Sequence, residues 1–221
     1  MKITLPGSKE TLPVGKILCI GRNYAKHAAE MQSDVPGEPM VFLKPSTAIV
    51  RSGGVVVLPK QSKDVHHEVE LVAVIGKGGR NIPEDEALHH VSAYAAGLDM
   101  TARDIQSKAK ANRHPWSVAK GFDTFAPLGP LTPADQVGDP QQMEVSVTVN
   151  EETRQNGRTA DMIFSVAYLV HYTSTIFTLE PGDLIYTGTP DGVGPVEDGD
   201  VAEARVSGCA PLRVRMSREL D

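Results

Sequence analysis

Glu68 and Glu70 stand directly before residues 71–75, the most apolar run of the chain. The apolar run predicts a buried strand, and successive side chains of a strand point to opposite faces. Glu68 and Glu70 therefore share a face with His66, whereas His67 points to the other side. Two carboxylates roughly 7 Å apart repel each other at low dielectric, and a divalent cation between them would remove that repulsion. The alternative is an exposed strand end with solvated glutamates.

A third carboxylate, Asp99, follows the strand-like run SAYAAGL (92–98) and precedes a predicted helix. An aspartate at such a junction can point into a site, although an ordinary turn aspartate is the alternative. Together with Glu68 and Glu70 it would supply only hard oxygen ligands. Such a set suits Mg²⁺, Mn²⁺ or Ca²⁺ and leaves positions open for water and substrate. Participation of His66 would instead favour zinc or iron.

His27 and Glu30 lie in the alanine-rich segment NYAKHAAEM (23–31), which predicts a short helix. Their i,i+3 spacing puts both side chains on one helix face. A carboxylate beside an imidazole orients the ring and raises its basicity, so the pair could act as a general base. By spacing alone, an exposed surface pair is the more common outcome.

Short β-like runs recur along the chain, several with the alternating polar and apolar residues of half-buried antiparallel strands. Regular alternation of strands and helices is missing, which argues against a doubly wound sheet or a TIM barrel. We therefore predict a β-dominated α+β fold. The predicted strands are KILCIG (16–21), MVFLK (40–44), GVVVLP (54–59), VELVAVIG (69–76), SAYAAGL (92–98), MEVSVTVN (143–150), DLIYTG (183–188), VAEARVS (201–207) and LRVRMS (212–217).

Two further segments predict helices. TARDIQSKAKA (101–111) opens with Thr101 and Asp104 at the spacing of a capping box, and ADMIFSVAYLVHYTSTIF (160–177) is the longest candidate. The polar segment NEETRQNG (150–157) predicts a hairpin turn between two strands.

The charge pattern of the chain narrows its expected partners. The formal net charge is −6, and no basic block indicates a nucleic-acid partner. No apolar run approaches the roughly 18–20 residues that span a membrane, so no membrane partner is expected.

The N-terminal segment lacks the apolar region of a signal peptide, and Cys19 and Cys209 lack metal-ribbon or redox spacing. We expect a cytoplasmic protein with two free thiols.

Seven motifs occur in order along the chain: ILCIGRNYAKHAAEM, PMVFLKPSTAIV, HHEVELVAVIG, YAAGLDMTARDIQ, PWSVAKGFDTFAPLGP, MIFS and IYTGTPDGVGPV. In this combination the chain resembles the fumarylacetoacetate hydrolase family, most closely its short single-domain acylpyruvase and oxaloacetate decarboxylase-like branch. Each motif alone is weak, whereas seven in register are highly specific. The resemblance covers about residues 16–215 and implies one catalytic domain, 1–221. It also implies a mixed β-roll or distorted barrel with short flanking helices, and a homodimer.

The resemblance assigns roles to the candidate residues. In this family an E-x-E pair and a later aspartate bind the metal, and these fall on Glu68, Glu70 and Asp99. Mg²⁺ or Mn²⁺ is the expected cofactor, with Ca²⁺ as an alternative in crystals.

A lid over about residues 22–38 is implied to carry the general-base pair His27 and Glu30, with the breaker-rich QSDVPGEP as its hinge. Lys120 is implied to project into the site from the end of a strand-like run and to hold an enolate or carboxylate oxygen. The expected contacts to an anionic substrate are Arg22, Lys44, Arg103, Gln106 and Thr189. Arg103 could equally be a structural partner of Asp104 or Asp99.

The function implied is hydrolysis of small 2,4-diketo acids (acylpyruvates) to pyruvate and a carboxylic acid, with the pyruvate enolate as leaving group. Any reaction through the same enolate would fit the site. The alternative is therefore an oxaloacetate decarboxylase or keto-enol tautomerase, or an isomerase of unsaturated 2-hydroxy diacids.

The sequence leaves open two hypotheses from other functional classes. In a Schiff-base lyase, Lys120 would attack the ketone of the substrate and no metal would be needed. In a non-catalytic ion-binding protein, the carboxylates would only stabilise the fold.

Overall fold

The computed structural model describes residues 1–9, 11–30 and 35–219, and strands dominate them. The strands are β1 Lys2–Thr4, β2 Thr11–Pro13, β3 Ile17–Gly21, β4 Met40–Lys44, β5 Ile49–Arg51, β6 Val55–Leu58, β7 Val65–His67, β8 Val69–Ile75, β9 Val91–Leu98, β10 Thr101–Ala102, β11 Ala126–Leu128, β12 Thr132–Pro133, β13 Glu144–Val149, β14 Glu152–Arg158, β15 Leu184–Tyr186, β16 Gly194–Pro195, β17 Val201–Val206 and β18 Leu212–Arg218. The helices are α1 Ala25–Glu30, α2 Arg103–Ala111, α3 Ser117–Lys120 and α4 Val166–Ile176, with short 3-10 segments at Ser46–Ala48, Glu84–His90, Ala134–Gln136 and Thr159–Asp161. Each of the nine predicted strands overlaps an observed one.

The largest sheet is mixed and curls into a half-barrel. Its strand order is β4-β3-β15-β8-β9-β11-β5, with β12 paired to β9. The β15–β3 and β11–β5 pairs are parallel, and the other pairs are antiparallel.

Strand β8 lies in the middle of this sheet and is buried along its whole length. Leu71 and Ala73 pack into one hydrophobic core, whereas Val72 and Val74 pack into a second core on the other face. A strand covered on both faces needs apolar side chains at every position, which accounts for the continuous apolar run. The strand therefore holds any side chain at its N-terminal end rigidly.

A five-stranded sheet, β14-β13-β17-β18-β6, contributes Val145, Val147 and Val214 to the same core as Leu71. A third, small sheet of order β10-β7-β16 lies beside the carboxylates. In it, Thr101 pairs with His66 on one side of β7. The small sheet thus brings the start of α2 and the chain around β16 to the same place.

The hairpin turn between β13 and β14 is shorter than predicted. Asn150 and Glu151 both have positive φ, 51° and 69°, and form the turn. Positive φ at two central residues is the geometry that matches the twist of a hairpin. Most of the segment predicted as a turn, from Glu152 onward, is therefore strand β14.

Two helices also begin differently from the sequence-based prediction. Helix α4 begins at Val166, where Ser165 accepts a hydrogen bond from the Tyr168 N–H (3.1 Å) and caps the helix. Helix α2 has no side-chain cap, because Thr101 donates to the Asp99 carbonyl (3.1 Å) and Asp104 accepts from Ser62 (2.6 Å). The capping box predicted at 101–104 is therefore wrong.

The architecture confirms the predicted β-dominated α+β class with few short helices. Among the helices that the structure describes, none is both long and apolar enough to cross a membrane.

Candidate active site

Strand pairing brings the three predicted metal ligands together. Glu70 lies on β8 opposite Gly97 of β9, and the Asp99 N–H donates to the Glu68 carbonyl (2.8 Å). Oxygen atoms from Glu68, Glu70 and Asp99 all lie within 4.8 Å of one another. The three side chains are 5%, 1% and 1% exposed, so their charges are desolvated and need compensation.

The donor set fits a hard divalent cation. Among the described residues Asp99 Oδ1 accepts no hydrogen bond, and it contacts Lys44 Nζ at 2.7 Å as an ion pair. Burial, reinforced by the charge of Asp99, raises the pKa of the Glu70 carboxyl well above its usual range. An unsatisfied acceptor beside crowded carboxylates is the environment that a divalent cation relieves.

His66 does not join this cluster. Its Nε2 atom lies 2.8 Å from Asp64 Oδ1, and the cluster of described ligand atoms contains no histidine. The ladder is interrupted at Glu68, between β7 and β8, so a strict alternation of faces does not continue from Glu70 to His66. The zinc or iron alternative therefore loses its nitrogen ligand.

Lys120 occupies the centre of the cluster. It is the last residue of helix α3 rather than the end of a strand, which corrects the sequence-based placement. Its Nζ atom donates to Glu68 Oε2 (2.8 Å) and Asp99 Oδ2 (2.6 Å). Burial acts to lower the pKa of Lys120, but the charges of Asp99 and Glu68 outweigh burial and raise it. The side chain stays an ammonium, which disfavours Schiff-base chemistry.

Arg103 anchors the outer side of the cluster. Its guanidinium donates to Glu68 Oε1 and to Gln106 Oε1 (2.7 Å). Its partner is therefore neither Asp104 nor Asp99. Burial acts to raise the pKa of Glu68, but the charges of Lys120 and Arg103 outweigh burial and hold it well below its usual range. Glu68 is thus kept ionised without any cofactor.

The contacts of Lys44 differ from those predicted from the sequence. Its Nζ atom donates to the carbonyls of Met100 (2.9 Å), Lys120 (2.6 Å) and Phe125 (2.7 Å). An ammonium has three hydrogens, so none is left for a substrate. Lys44 also does not line the cavity at the cluster. These contacts favour a role in supporting Asp99, whereas the substrate contact of Lys44 stays a prediction.

His27 and Glu30 meet on helix α1 as the i,i+3 spacing predicts. His27 Nδ1 lies 3.2 Å from Glu30 Oε2, and His27 is 6% exposed and lines the cavity. Both Glu30 oxygens accept from the Gly192 N–H at 3.2 Å. With Nδ1 engaged, Nε2 is the nitrogen free to take a proton. Residues 31–34 of the expected lid and its hinge lie outside the described residues.

Gly188, in the turn that follows β15, contacts the carboxylate cluster through its backbone. Its N–H donates to Glu70 Oε2 (2.8 Å), and its φ is +100°. A Cβ atom at this position would lie 2.6 Å from the Asn23 Cβ atom. Only glycine fits both demands. The turn in this way presents Thr189 to the cavity.

The cavity brings together most of the predicted site residues and several that the sequence analysis missed. Those predicted are Arg22, His27, Glu68, Glu70, Arg103, Gln106, Lys120 and Thr189; Asp99 accepts a hydrogen bond from Lys120 but does not line the cavity. Those missed are Ile20, Gly21, Phe42, Lys110 and Trp116. Lys110 follows Arg103 and Gln106 at i+7 and i+4, so helix periodicity could have placed it on the same face. Phe42 and Trp116 meet edge to face, with ring centroids 5.8 Å apart.

The comparisons with known proteins agree with this geometry. Residues 16–217 match the family model of the fumarylacetoacetate (FAA) hydrolase C-terminal domain. The chain is 47% identical over 205 residues to the mitochondrial oxaloacetate tautomerase FAHD1 of Arabidopsis thaliana, covering 93% of this chain and 92% of that protein.

Solved structures of related proteins share this fold. The fumarylpyruvate hydrolase of Pseudomonas aeruginosa, in complex with Mn²⁺ and pyruvate, superposes with a TM-score of 0.93 at 46% identity, covering 99% of this chain and 96% of that one. A 5-carboxymethyl-2-hydroxymuconate delta-isomerase from Mycobacterium smegmatis has a TM-score of 0.86 at 39% identity, covering 97% and 87%. The predicted mixed β-roll is thereby confirmed. On the match over residues 16–217 and on these relatives, the chain belongs to the fumarylacetoacetate hydrolase family.

Proposed function

We propose that the protein is a divalent-metal-dependent hydrolase that cleaves the C3–C4 bond of small 2,4-diketo acids, releasing pyruvate and a carboxylic acid. One observation carries the proposal: His27, which is paired with Glu30, lines the same cavity as Glu68, Glu70 and Lys120. A water-activating base is needed for hydrolysis and not for simpler enolate chemistry.

Glu68, Glu70 and Asp99 would hold the cation, Mg²⁺ or Mn²⁺. When bound, such a cation supplies Lewis acidity toward the oxygens of a 2-oxo acid and neutralises negative charge as it develops. The Mn²⁺ and pyruvate in the related fumarylpyruvate hydrolase support this assignment.

His27 would begin the reaction. Its Nε2 takes a proton from water while Glu30 orients the ring through Nδ1. The hydroxide attacks the C4 carbonyl, the C3–C4 bond breaks, and its electron pair passes into the enolate of pyruvate. Lys120 stabilises the charge on the enolate oxygen, and protonation at C3 completes the products. Thr189, Arg103 and Gln106 would hold the substrate carboxylate.

A second candidate, oxaloacetate tautomerisation or decarboxylation, is favoured by a specific observation. Relatives 45–47% identical over nine-tenths of their lengths are oxaloacetate tautomerases. Tautomerisation needs only proton transfer at C3, for which His27 would be the base while Lys120 and the cation would stabilise the enolate oxygen, so no water attack is required. Isomerisation of an unsaturated 2-hydroxy diacid belongs to the same group, as the related delta-isomerase indicates.

A small substrate panel tests the proposal. Acetylpyruvate, oxaloacetate and fumarylpyruvate are each assayed with Mn²⁺, with Mg²⁺ and with EDTA. The expected result is metal-dependent cleavage of the diketo acids that His27→Ala abolishes. Wild-type cleavage rates in His27→Ala would overturn the role of the base. Oxaloacetate turnover without any diketo acid cleavage would establish the second candidate instead.

We also propose that the protein is a homodimer, on family membership alone. Light scattering is expected to give about twice the chain mass of 23.7 kDa.

A further inference from the structure

Gln155 is the one buried residue of strand β14. It is 1% exposed, although glutamine is a residue type found mostly at the protein surface. A buried amide costs free energy unless its donors and acceptors are paired, and this amide has four polar neighbours. The burial of Gln155 is therefore explained by the groups that its amide connects.

The oxygen of the Gln155 amide accepts hydrogen bonds on both sides of Glu68. The Val69 N–H donates to Oε1 at 3.0 Å, and His67 Nδ1 lies 3.0 Å from the same atom. Strand β7 ends at His67 and β8 begins at Val69, so these two residues flank the break in the ladder at Glu68. The oxygen end of the amide is thus anchored to the chain beside a carboxylate of the cluster.

Two backbone partners determine which end of the amide is the oxygen. A backbone N–H can only donate and a carbonyl can only accept, so Val69 faces Oε1, and Nε2 donates to the Pro190 carbonyl (2.8 Å). His67 Nδ1 must then carry a hydrogen, because it faces the oxygen. The other tautomer would put an N–H at His67 Nε2, which is buried and has no partner in the described part of the chain.

The nitrogen end of the amide orients a hydroxyl in the cavity. The second hydrogen of Gln155 Nε2 is donated to Thr189 Oγ1 (2.8 Å), so the hydroxyl oxygen accepts. The hydroxyl hydrogen of Thr189 then points elsewhere, and it makes no hydrogen bond with the residues that the structure describes. Because Thr189 lines the cavity, this hydrogen is available to a bound anion.

The turn that carries Thr189 lies directly against β14. A Cβ atom at Gly157 would lie 2.5 Å from the Pro190 Cβ atom, and a Cβ atom at Gly192 would meet the Arg154 carbonyl. Glycine at these two positions allows the close approach. The approach brings the turn within reach of the Gln155 amide.

We propose that Gln155 is a positioning residue that presents the Thr189 hydroxyl as a hydrogen-bond donor to the carboxylate of a bound 2-oxo acid. Gln155 does not line the cavity, so it acts through Thr189. The hydrogen bond from Nε2 restricts the orientation of the hydroxyl before the ligand arrives, which reduces the entropy lost on binding. The inference rests on the proposed function, because the substrate carboxylate must lie beside Thr189.

Pyruvate binding tests the inference without any turnover. Calorimetry is done at saturating Mn²⁺, and Thr189→Val is expected to weaken pyruvate binding about 10-fold or more. Gln155→Met keeps the length of the side chain without the amide, and about 3- to 10-fold weaker binding is expected. Thr189→Ser keeps the hydroxyl and is expected to stay within about threefold of the wild type.

The double variant shows whether Gln155 acts through Thr189. Gln155→Met combined with Thr189→Val is expected to bind pyruvate within about twofold of Thr189→Val alone, because the hydroxyl that Gln155 orients is already gone. Additive losses would overturn the inference, and so would wild-type pyruvate affinity in Gln155→Met. In steady-state kinetics Gln155→Met is expected to raise KM more than it lowers kcat, and a loss confined to kcat would contradict the inference.

Gln141 offers a matched control. Its amide likewise accepts from a backbone N–H, that of Val166 (3.1 Å), and donates to a backbone carbonyl, that of Thr159. Gln141 does not line the cavity. Gln141→Met is therefore expected to lower Tm as Gln155→Met does and to leave pyruvate binding within about twofold. A similar loss of pyruvate affinity in both variants would show that loosening of the fold is responsible.

NMR of the imidazole nitrogens tests the orientation of the amide. At about pH 8, above the ordinary histidine pKa of about 6.5, His67 is expected as the neutral tautomer with its hydrogen on Nδ1. A hydrogen on Nε2 instead would reverse the assignment of the amide and refute the inference. The measurement needs only the wild-type protein, so it applies even if Gln155→Met does not fold.

Failure of the inference is distinguishable from failure of the proposed function. Non-additive losses of pyruvate affinity in the Gln155 and Thr189 variants, without cleavage of any diketo acid, would support the positioning role and overturn the proposed hydrolysis. Cleavage of acetylpyruvate by the wild type, with unchanged pyruvate affinity in Gln155→Met, would do the reverse.

Discussion

The ammonium of Lys120 lies 2.6 Å from the Asp99 carboxylate and thereby occupies the midst of the proposed metal ligands. A metal ion bound by these carboxylates and the ammonium of Lys120 would repel each other. Each would therefore bind the carboxylates more weakly when the other is present. Lys120 thus keeps the buried carboxylates compensated when no metal is bound.

This relationship gives a prediction for Lys120→Met. The variant should bind Mn²⁺ at least as tightly as the wild type, whereas kcat should fall by about 100-fold or more. The gain in Tm on adding Mn²⁺ should exceed that of the wild type, because the metal-free variant leaves the carboxylates unpaired. Calorimetry, thermal unfolding and steady-state kinetics check these outcomes. Glu70→Gln serves as the control and should bind Mn²⁺ weakly; loss of Mn²⁺ binding in Lys120→Met would contradict the prediction.

Lys44→Met separates a structural role from a substrate contact. The substitution leaves three buried carbonyls and Asp99 without their cation, so we expect the free energy of unfolding to fall by about 3–5 kcal/mol. Chemical denaturation measures this loss. An unchanged stability together with a raised KM would instead return Lys44 to the substrate contacts.

Gly188→Ala tests the turn that holds Glu70. A new Cβ atom would meet Asn23 at 2.6 Å, and the backbone has φ +100°. We expect a loss of about 1–3 kcal/mol in stability and weaker Mn²⁺ binding. Gly199→Ala is the matched control, because Gly199 has φ +87° with nothing within 4 Å. Similar losses in both variants would show that backbone strain alone is responsible.

The two thiols predict a dependence on pH. Burial raises the pKa of Cys209 to about 11 and that of Cys19 well above its ordinary value. Below about pH 7 both thiols are neutral in the folded and unfolded chains, and they contribute no pH dependence to stability. As the pH rises through the ordinary thiol pKa of about 8.5, the unfolded chain releases its protons first, so stability falls.

Thiol titration checks this expectation directly. At pH 8 neither cysteine of the folded protein should react readily with a disulfide reagent, and both should react once the chain is unfolded. Rapid reaction of Cys209 in the folded state would contradict the assigned burial.

Some features of the site follow from neighbours along the chain. The apolar run of β8 predicts a buried strand, and a two-residue spacing predicts that Glu68 and Glu70 belong together. The i,i+3 spacing of His27 and Glu30 likewise predicts their contact on a helix. These relations are local, and the periods of helix and strand are enough to derive them.

Local alternation fails where the strand is interrupted. The ladder is interrupted at Glu68, and His66, which precedes this break, contacts Asp64 and lies outside the carboxylate cluster. Nothing in the immediate sequence signals such a break, because it depends on two different sheets meeting there.

The sequence by itself determined which carboxylates come together, that His27 meets Glu30, and which strands lie around them. Only the tertiary structure decided that Lys44 lies beside Asp99 and that Gln155 contacts Thr189. Lys44 reaches a carbonyl 81 positions away, and Gln155 bonds Val69 across 86 positions. Such partners are chosen by how whole sheets pack and by the need of buried polar groups for hydrogen bonds, and no local pattern carries that information.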